Sequence, residues 1–226
     1  MPTEIEKYNS VSLLDIVYRQ LKSDILKGKY KPGDRLVLGQ LSKELGISHT
    51  PINLSLNRLV SEGYVEFMPR RGMRVKKVTI DDIRGIFEVR KMFEMNCAKG
   101  MVEKAQESPE FVESLVACND EMYRYGYRKT LEDEFFKYFE GETQFHSLTV
   151  ETSPNKKFVH MYQDLNANSL YYSKLAKFLS ERRYEETKLE HLRIIDAIKG
   201  HGVKALEGAI STHLENSFEY LSKHHQ

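Results

Sequence analysis

Apolar residues recur at helical spacing through most of this chain, with one short stretch that alternates instead. Leu14, Val17, Leu21 and Ile25 share a face, and Gly28 closes that segment. Leu38, Leu41 and Leu45 make a shorter stripe that stops at Gly46, a residue free to take positive φ at a helix end. Ser48 then stands as the N-cap of a second helix, and Pro51 falls in its first turn, where no intrahelical donor is lost. Ile52, Leu56, Leu59 and Val60 form the apolar stripe of that helix. His49, Asn53 and Asn57 recur every fourth residue on another face. The period changes at Gly63. Residues 64–68 have strand character, Pro69-Arg70-Arg71-Gly72 reads as a turn, and residues 74–78 read as a returning strand.

After Val78 the helical period returns and stays. Thr79 reads as an N-cap with Asp81 and Asp82 in the first turn, where negative charge favours the helix dipole. Ile83, Ile86, Phe87, Arg90 and Phe93 belong to one periodic segment, and residues 111–125 and 131–151 to two more. Pro154-Asn155 marks a break before residues 156–178. Residues 184–199 and 203–222 close the chain around Gly200-His201-Gly202. The pattern predicts a mainly α protein, with residues 1–78 forming one domain and residues 79–226 an all-α bundle of six or seven helices.

Two short helices joined at Gly46-Ile47 are either a helix-turn-helix or an ordinary αα-hairpin with a polar outer face. The segment that follows decides between them. A hairpin bearing Arg70, Arg71 and Arg74 directly behind such a pair reads as the wing of a winged helix-turn-helix, able to reach phosphates or an adjacent groove. Before it, Lys31-Pro32-Gly33-Asp34 has the Pro-Gly order of a type II turn, and Arg35-Leu36 leads on.

Charge sharpens the division. The net charge of +1 hides 14 lysines and arginines against 8 acids in residues 1–78, and 20 against 25 in residues 79–226. A basic first third on a mildly acidic remainder fits a module for double-stranded DNA joined to a second domain. No apolar run approaches membrane-spanning length, the first ten residues lack the apolar core of a leader, and Cys97 and Cys118 match no metal or redox spacing. These features point to a cytoplasmic protein working in a reducing compartment, at the nucleoid when it is bound to DNA.

The second domain holds candidate ligand chemistry. Glu142 and His146 are four residues apart, hence stacked on one helix face. His191 and His213 lie on the last two segments, which turn back on each other at Gly200-Gly202 and can bring both imidazoles level. One carboxylate and three imidazoles suit a divalent transition metal, Zn²⁺, Ni²⁺, Mn²⁺ or Fe²⁺; the alternative is a hydrogen-bonded polar cluster that holds an organic acid without metal. Arg90 sits in an apolar pattern and needs a partner, either a carboxylate ligand or an internal acid such as Glu94 or Glu142. His160, His201, His224 and His225 read as ordinary surface residues.

The order of these parts resembles the GntR family of bacterial transcription regulators, in its FadR-like branch. The likeness is carried by KSDILKGKYKPGDRL, LSKELGISHTPINLSLNRL and SEGYVEFMPRRGMRV in the first domain, and by IFEVRKMFE, ETQFH, EHLRIIDAI and STHL in the second. It implies a homodimeric DNA-binding regulator, not an enzyme, whose helical FCD domain binds a small effector. Arg35, Thr50, Arg58 and Gly72 match family positions associated with DNA contact; Ser48, His49, Asn53, Asn57, Arg70 and Arg71 complete the expected surface. Relatives carry arginine at the positions of His49 and Asn53, so the usual operator is not implied. Relatives also use an Asp-x-x-x-His pair plus two later histidines for a metal, with Glu142 here in the Asp position. An arginine at the place of Arg90 helps them bind carboxylate effectors, and Asn155 matches an asparagine of a helix-connecting turn, where capping is the expected role. Three functions follow: control by a small carboxylate, control by the metal ion itself, and metal-dependent hydrolysis. The last lacks an obvious second general base and a His-Asp dipeptide.

Overall fold

The computed structural model describes residues 12–124, 132–175, 180–200 and 202–224, with the side chains of 132–136, 139 and 166–175 not included. The chain divides into two compact units, Met1–Val78 and Thr79–Gln226.

In the first unit α1 (Leu13–Leu26) starts at Ser12, whose hydroxyl accepts from the Asp15 amide, and buries Val17, Leu21 and Ile25. Gly33 takes φ 94 in a turn closed by the Asp34 amide donating to the Lys31 carbonyl. The chain then forms β1 (Arg35–Leu36), α2 (Leu38–Leu45) and α3 (His49–Ser61). Gly46 ends α2 at φ 67, a left-handed conformation that a β-carbon would strain. Ile52, Leu56 and Leu59 of α3 are fully buried, while Val60 is half-buried. The Ser55 hydroxyl, also buried, donates to the Leu14 carbonyl and ties α3 to α1. Ser48 occupies the N-cap of α3 as expected from the sequence, but its side chain makes no capping bond.

The wing is displaced from the expected strands. β2 is Val65–Met68 and β3 is Gly72–Val75, so residues 76–78 lie outside the ladder and Gly72 lies inside it. The sheet order is β1-β3-β2, and β1 is a strand the alternation did not reveal. Two residues cannot alternate; what makes Arg35–Leu36 a strand is its antiparallel pairing with Arg74 and Met73. Between β2 and β3 the Arg71 amide donates to the Met68 carbonyl. Pro69 and a left-handed Arg70 (φ 63) occupy the middle of that turn, the pattern of a type II turn with arginine where glycine is usual.

The second unit has seven helices among the described residues. These are α4 (Ile80–Asn96), α5 (Ala98–Glu107), α6 (Pro109–Tyr123), α7 (Glu132–Val150), α8 (Lys156–Leu175), α9 (Glu181–Lys199) and α10 (Val203–His224). Thr79 and Asp82 form a reciprocal capping box at the start of α4. The α4–α5 break at Cys97 contains neither glycine nor proline, so the sequence pattern runs across it. The Asn155 side-chain Oδ1 accepts from the Lys157 and Phe158 amides and caps α8. Helices α9 and α10 pack together, α10 against α4, α6 against α7 and α9, and α7 against α8. At Gly141 a β-carbon would lie 2.1 Å from Met122 Cγ, so glycine is what lets α7 approach α6. Glu142 is the next residue. The C-terminal ends expected at Tyr125 and Phe178, and His201 and His225, lie outside the described residues.

Candidate nucleic-acid interface and metal centre

The outer face of α3 and the wing carry the first site. Ser48, His49, Thr50, Asn53 and Asn57 are all exposed, as are Arg35, Arg70, Arg71 and Gly72. Arg35 and Arg74 stand directly opposite each other across β1 and β3, which concentrates positive charge at the base of the wing; Glu66 pairs with Arg74 at 2.7 Å from the other side. Arg58 is less free than the sequence implied. Its guanidinium lies 3.8 Å over the Tyr18 ring and pairs with Glu62 at 3.2 Å and Asp15 at 3.3 Å. Tyr18 also donates to Glu62, and Lys22 pairs with the same carboxylate at 2.9 Å. Glu62 is thereby lowered below the usual carboxylate range: burial opposes the shift, and the bonds from Tyr18 and Lys22 outweigh it.

The second site lies where α7, α9 and α10 meet. One ligand atom from each of Glu142, His146, His191 and His213 falls within 4.8 Å of the others. His146 Nε2 is 3.0 Å from His213 Nε2 and 3.5 Å from Glu142 Oε2, and His191 Nε2 is 3.4 Å from Glu142 Oε1. All three histidines are buried. Phe145 stacks on His191 with the ring planes 10° apart and holds it flat.

The outer nitrogens explain this convergence. His146 Nδ1 lies 2.9 Å from Glu94, His213 Nδ1 lies 2.9 Å from Glu190, and His191 Nδ1 lies 3.2 Å from the Asn119 side-chain Oδ1. Glu94 is held at about 2: burial would raise it, but the His146 and Arg90 charges prevail. Glu190 is likewise at about 2, its burial outweighed by bonds from His213 and Arg183. Ionised carboxylates only accept, so the Nδ1 atoms of His146 and His213 carry the hydrogens and their Nε2 lone pairs face one another. Two lone pairs at 3.0 Å repel unless a cation or a proton lies between them. His191 Nε2 is buried with no hydrogen-bond partner at all.

Electrostatics agree with that demand. Burial drives His191 well below its ordinary value, aided by the neighbouring imidazoles, and drives His213 down as well. His146 is raised instead, because Glu94 more than offsets its burial. Glu142 is held well below the usual range despite burial, chiefly by the attraction of His191. The donor set also fits a metal in size. With bonds of about 2.1 Å, neighbouring ligand atoms stand about 3.0 Å apart in an octahedral site and about 3.4 Å in a tetrahedral one. Three of the separations, 3.0, 3.4 and 3.5 Å, lie at these values, within a set whose atoms spread to 4.8 Å.

Around this centre the sequence reading missed Glu190, Asn119 and Tyr162. Glu190 receives a bidentate pair from buried Arg183 and a bond from Asn216, and Tyr162 donates to Glu94 at 2.7 Å. Arg90 is brought to Glu94 (3.1 Å) rather than to the histidines, the internal pairing the sequence left open. His160 and His224 are exposed.

Both units match known domain families. The profile for bacterial regulatory proteins of the gntR family matches residues 13–75, and the FCD domain profile matches residues 85–216. The HTH-type transcriptional regulator YdhC of Bacillus subtilis (strain 168) is 26% identical over 204 residues, spanning 90% of this chain and 88% of its own length. The HTH-type transcriptional repressor RspR of Escherichia coli (strain K12) is 24% identical over 203 residues, 90% of this chain and 86% of its own. Among solved structures, E. coli McbR/YncC shares the fold, with a TM-score of 0.74 at 20% identity across 96% of this chain and 100% of that one.

Proposed function

This chain belongs to the GntR family and is a DNA-binding transcription regulator with an FCD domain, and from that premise we propose that a divalent transition metal in the FCD domain, together with a small carboxylate, sets its affinity for an operator. Family and relatives are regulators, not enzymes, which removes the hydrolase reading. The observation that carries the proposal is the orientation of the three imidazoles. Each Nδ1 faces an acceptor on Glu94, Glu190 or Asn119, so three nitrogen lone pairs and the Glu142 carboxylate aim at one point. Outer acceptors of this kind fix the tautomer and raise the basicity of a metal-bound histidine.

Glu142, His146, His191 and His213 would hold the ion, which as a Lewis acid would offer a carboxylate effector a binding partner wherever its coordination exceeds four. The Asn119 amide nitrogen is buried beside this centre without a hydrogen-bond partner, and an anionic oxygen supplies the acceptor it lacks. Arg90, tied to Glu94, is assigned to holding that carboxylate in place rather than to the effector.

In the DNA-binding unit α3 is assigned to the major groove, with His49, Thr50, Asn53 and Asn57 toward base edges and Ser48 at the helix N-terminus. Arg35, Arg70 and Arg71 are assigned to phosphates, with Gly72 allowing close backbone approach, while Arg58 is engaged by Asp15, Glu62 and Tyr18. One unit of this size makes few base contacts, so a homodimer reads a two-fold symmetric site. Among the described residues no helix is long and apolar enough to cross a membrane, and the protein is assigned to the cytoplasm.

The test strips the protein with a chelator and reloads it with Zn²⁺, Ni²⁺, Mn²⁺ or Fe²⁺, with and without organic acids. Operator affinity is measured at each step. A change on adding metal alone makes the ion the signal; a change only when acid is added to loaded protein makes the acid the signal. No uptake of any of the four ions overturns the proposal.

A further inference from the structure

The outer face of α3 carries an apolar residue that the fold does not use. Leu54 is 51% exposed, although it lies in the middle of His49–Ser61. At about 100° per residue, it projects between Thr50 and Arg58, about 60° around the helix from Asn57 and on the side away from Ile52, Leu56 and Leu59. Its neighbours Thr50, Asn53 and Asn57 are exposed and uncharged. Arg58, the one arginine or lysine of this helix, is drawn off by Asp15, Glu62 and the Tyr18 ring. The face is therefore a set of neutral hydrogen-bonding groups with a leucine at its edge.

The major groove offers one apolar feature, the C5-methyl group of thymine; guanine, by contrast, is read chiefly by a cationic fork on its N7 and O6. We propose that Leu54 is a specificity-determining residue that packs on a thymine methyl in each operator half-site, next to an adenine read by the amide of Asn53 or Asn57. The proposal rests on the assignment of α3 to the major groove. It goes beyond that assignment by stating what the helix selects: an A·T step recognised through an apolar contact, with attraction to DNA left to the basic wing.

The test uses the full-length protein and the duplex it enriches from a random library. Each half-site thymine is replaced in turn by deoxyuridine, which removes only the methyl group, and affinity is measured by fluorescence anisotropy. At one thymine per half-site the replacement weakens binding by about fourfold, the worth of one buried methyl. Leu54→Ala, whose melting temperature stays that of the wild type because the side chain is exposed, binds the two duplexes equally; Leu54→Met restores the preference. The proposal is overturned if no thymine methyl matters, or if Leu54→Ala keeps the same dependence. Asn53→Ala separates the two levels. If it changes the selected sequence while Leu54→Ala does not, only the thymine contact fails; if neither changes it, α3 is not the reading helix.

Discussion

The two units handle polar side chains in opposite ways. In the FCD unit the polar groups face inward, and each histidine of the cluster has an acceptor fixed behind it. In the DNA-binding unit the groups on α3 face outward, exposed and uncharged, and the nearest arginine is held aside by its own fold. A buried cluster must satisfy every donor and acceptor before any ligand arrives, except where the ligand itself completes it. An exposed face meets water until DNA replaces it and needs no such internal support. The cost of changing a residue should differ between the units accordingly.

The largest expected effect comes from Glu94→Ala. It removes the buried carboxylate that both Arg90, only 5% exposed, and His146 Nδ1 face, so the FCD unit should lose about 3–5 kcal/mol in urea unfolding. The counterpart on the surface, Asp15→Ala, removes an exposed partner of Arg58 and should cost less than about 1 kcal/mol. Equal losses would erase the contrast.

Acid should act on the same contrast. Glu94 and Glu190 sit at about 2 in the fold against an ordinary 4.5. Folded values below the unfolded ones give stability that is complete above about pH 4.5 and lost as pH falls toward 2, on the order of 3 kcal/mol for each group. His191 and His213, held neutral by burial, begin the loss earlier, below about 6.5. Melting temperatures recorded from pH 7 to pH 3 should fall for the FCD unit before the DNA-binding unit, and a simultaneous fall would count against the buried charges as the cause.

Removing a ligand gives the next effect. His191→Ala should abolish the stabilisation that metal confers, about 2.7 kcal/mol at a metal concentration a hundredfold above its dissociation constant. A chelator should then shift the melting temperature of the wild type but not of the variant.

On the DNA side the changes are smaller and leave stability alone. Asn53→Arg replaces an adenine-matched amide by a guanine-matched fork, so selection should move one half-site position from A toward G by about 1–3 kcal/mol. If the arginine meets phosphate instead, the salt dependence should steepen by about one unit. The smallest effect is at the wing tip. Arg70→Gly relieves the left-handed strain but adds freedom to the unfolded chain, so stability should stay within about 1 kcal/mol. Affinity for DNA should fall, and unchanged affinity would remove Arg70 from the interface.

Much of this was legible in the sequence, for physical reasons that also mark where legibility stopped. Helical stripes such as Val17-Leu21-Ile25 and Ile52-Leu56-Leu59 appear because burial repeats with the local period. Gly46 and the Thr79 N-cap are local as well. The four cluster residues could be paired because two share a helix turn and two share an antiparallel hairpin. Asn119 could not be paired with His191, 72 residues away, because only the packing of α6 on α9 brings them together. Strand β1 was hidden for the same reason, since its partner lies on β3. The role of Gly141 is a matter of distance to Met122, which no pattern of apolar residues encodes. The α4–α5 break left no signal because Cys97 turns the chain with ordinary right-handed angles.

Metal content bears most directly on the claim that unites these observations, that the imidazoles are aimed at an ion. Purified protein, the same protein after chelation and reloading, and the His146→Ala and His213→Ala variants are to be assayed by inductively coupled plasma mass spectrometry, with circular dichroism to establish that each remains folded. One equivalent of a divalent transition metal per chain, removed by the chelator, regained on reloading and absent from both folded variants, is the expected result. Wild-type protein that takes up no ion after reloading, or folded variants that keep a full equivalent, would contradict it.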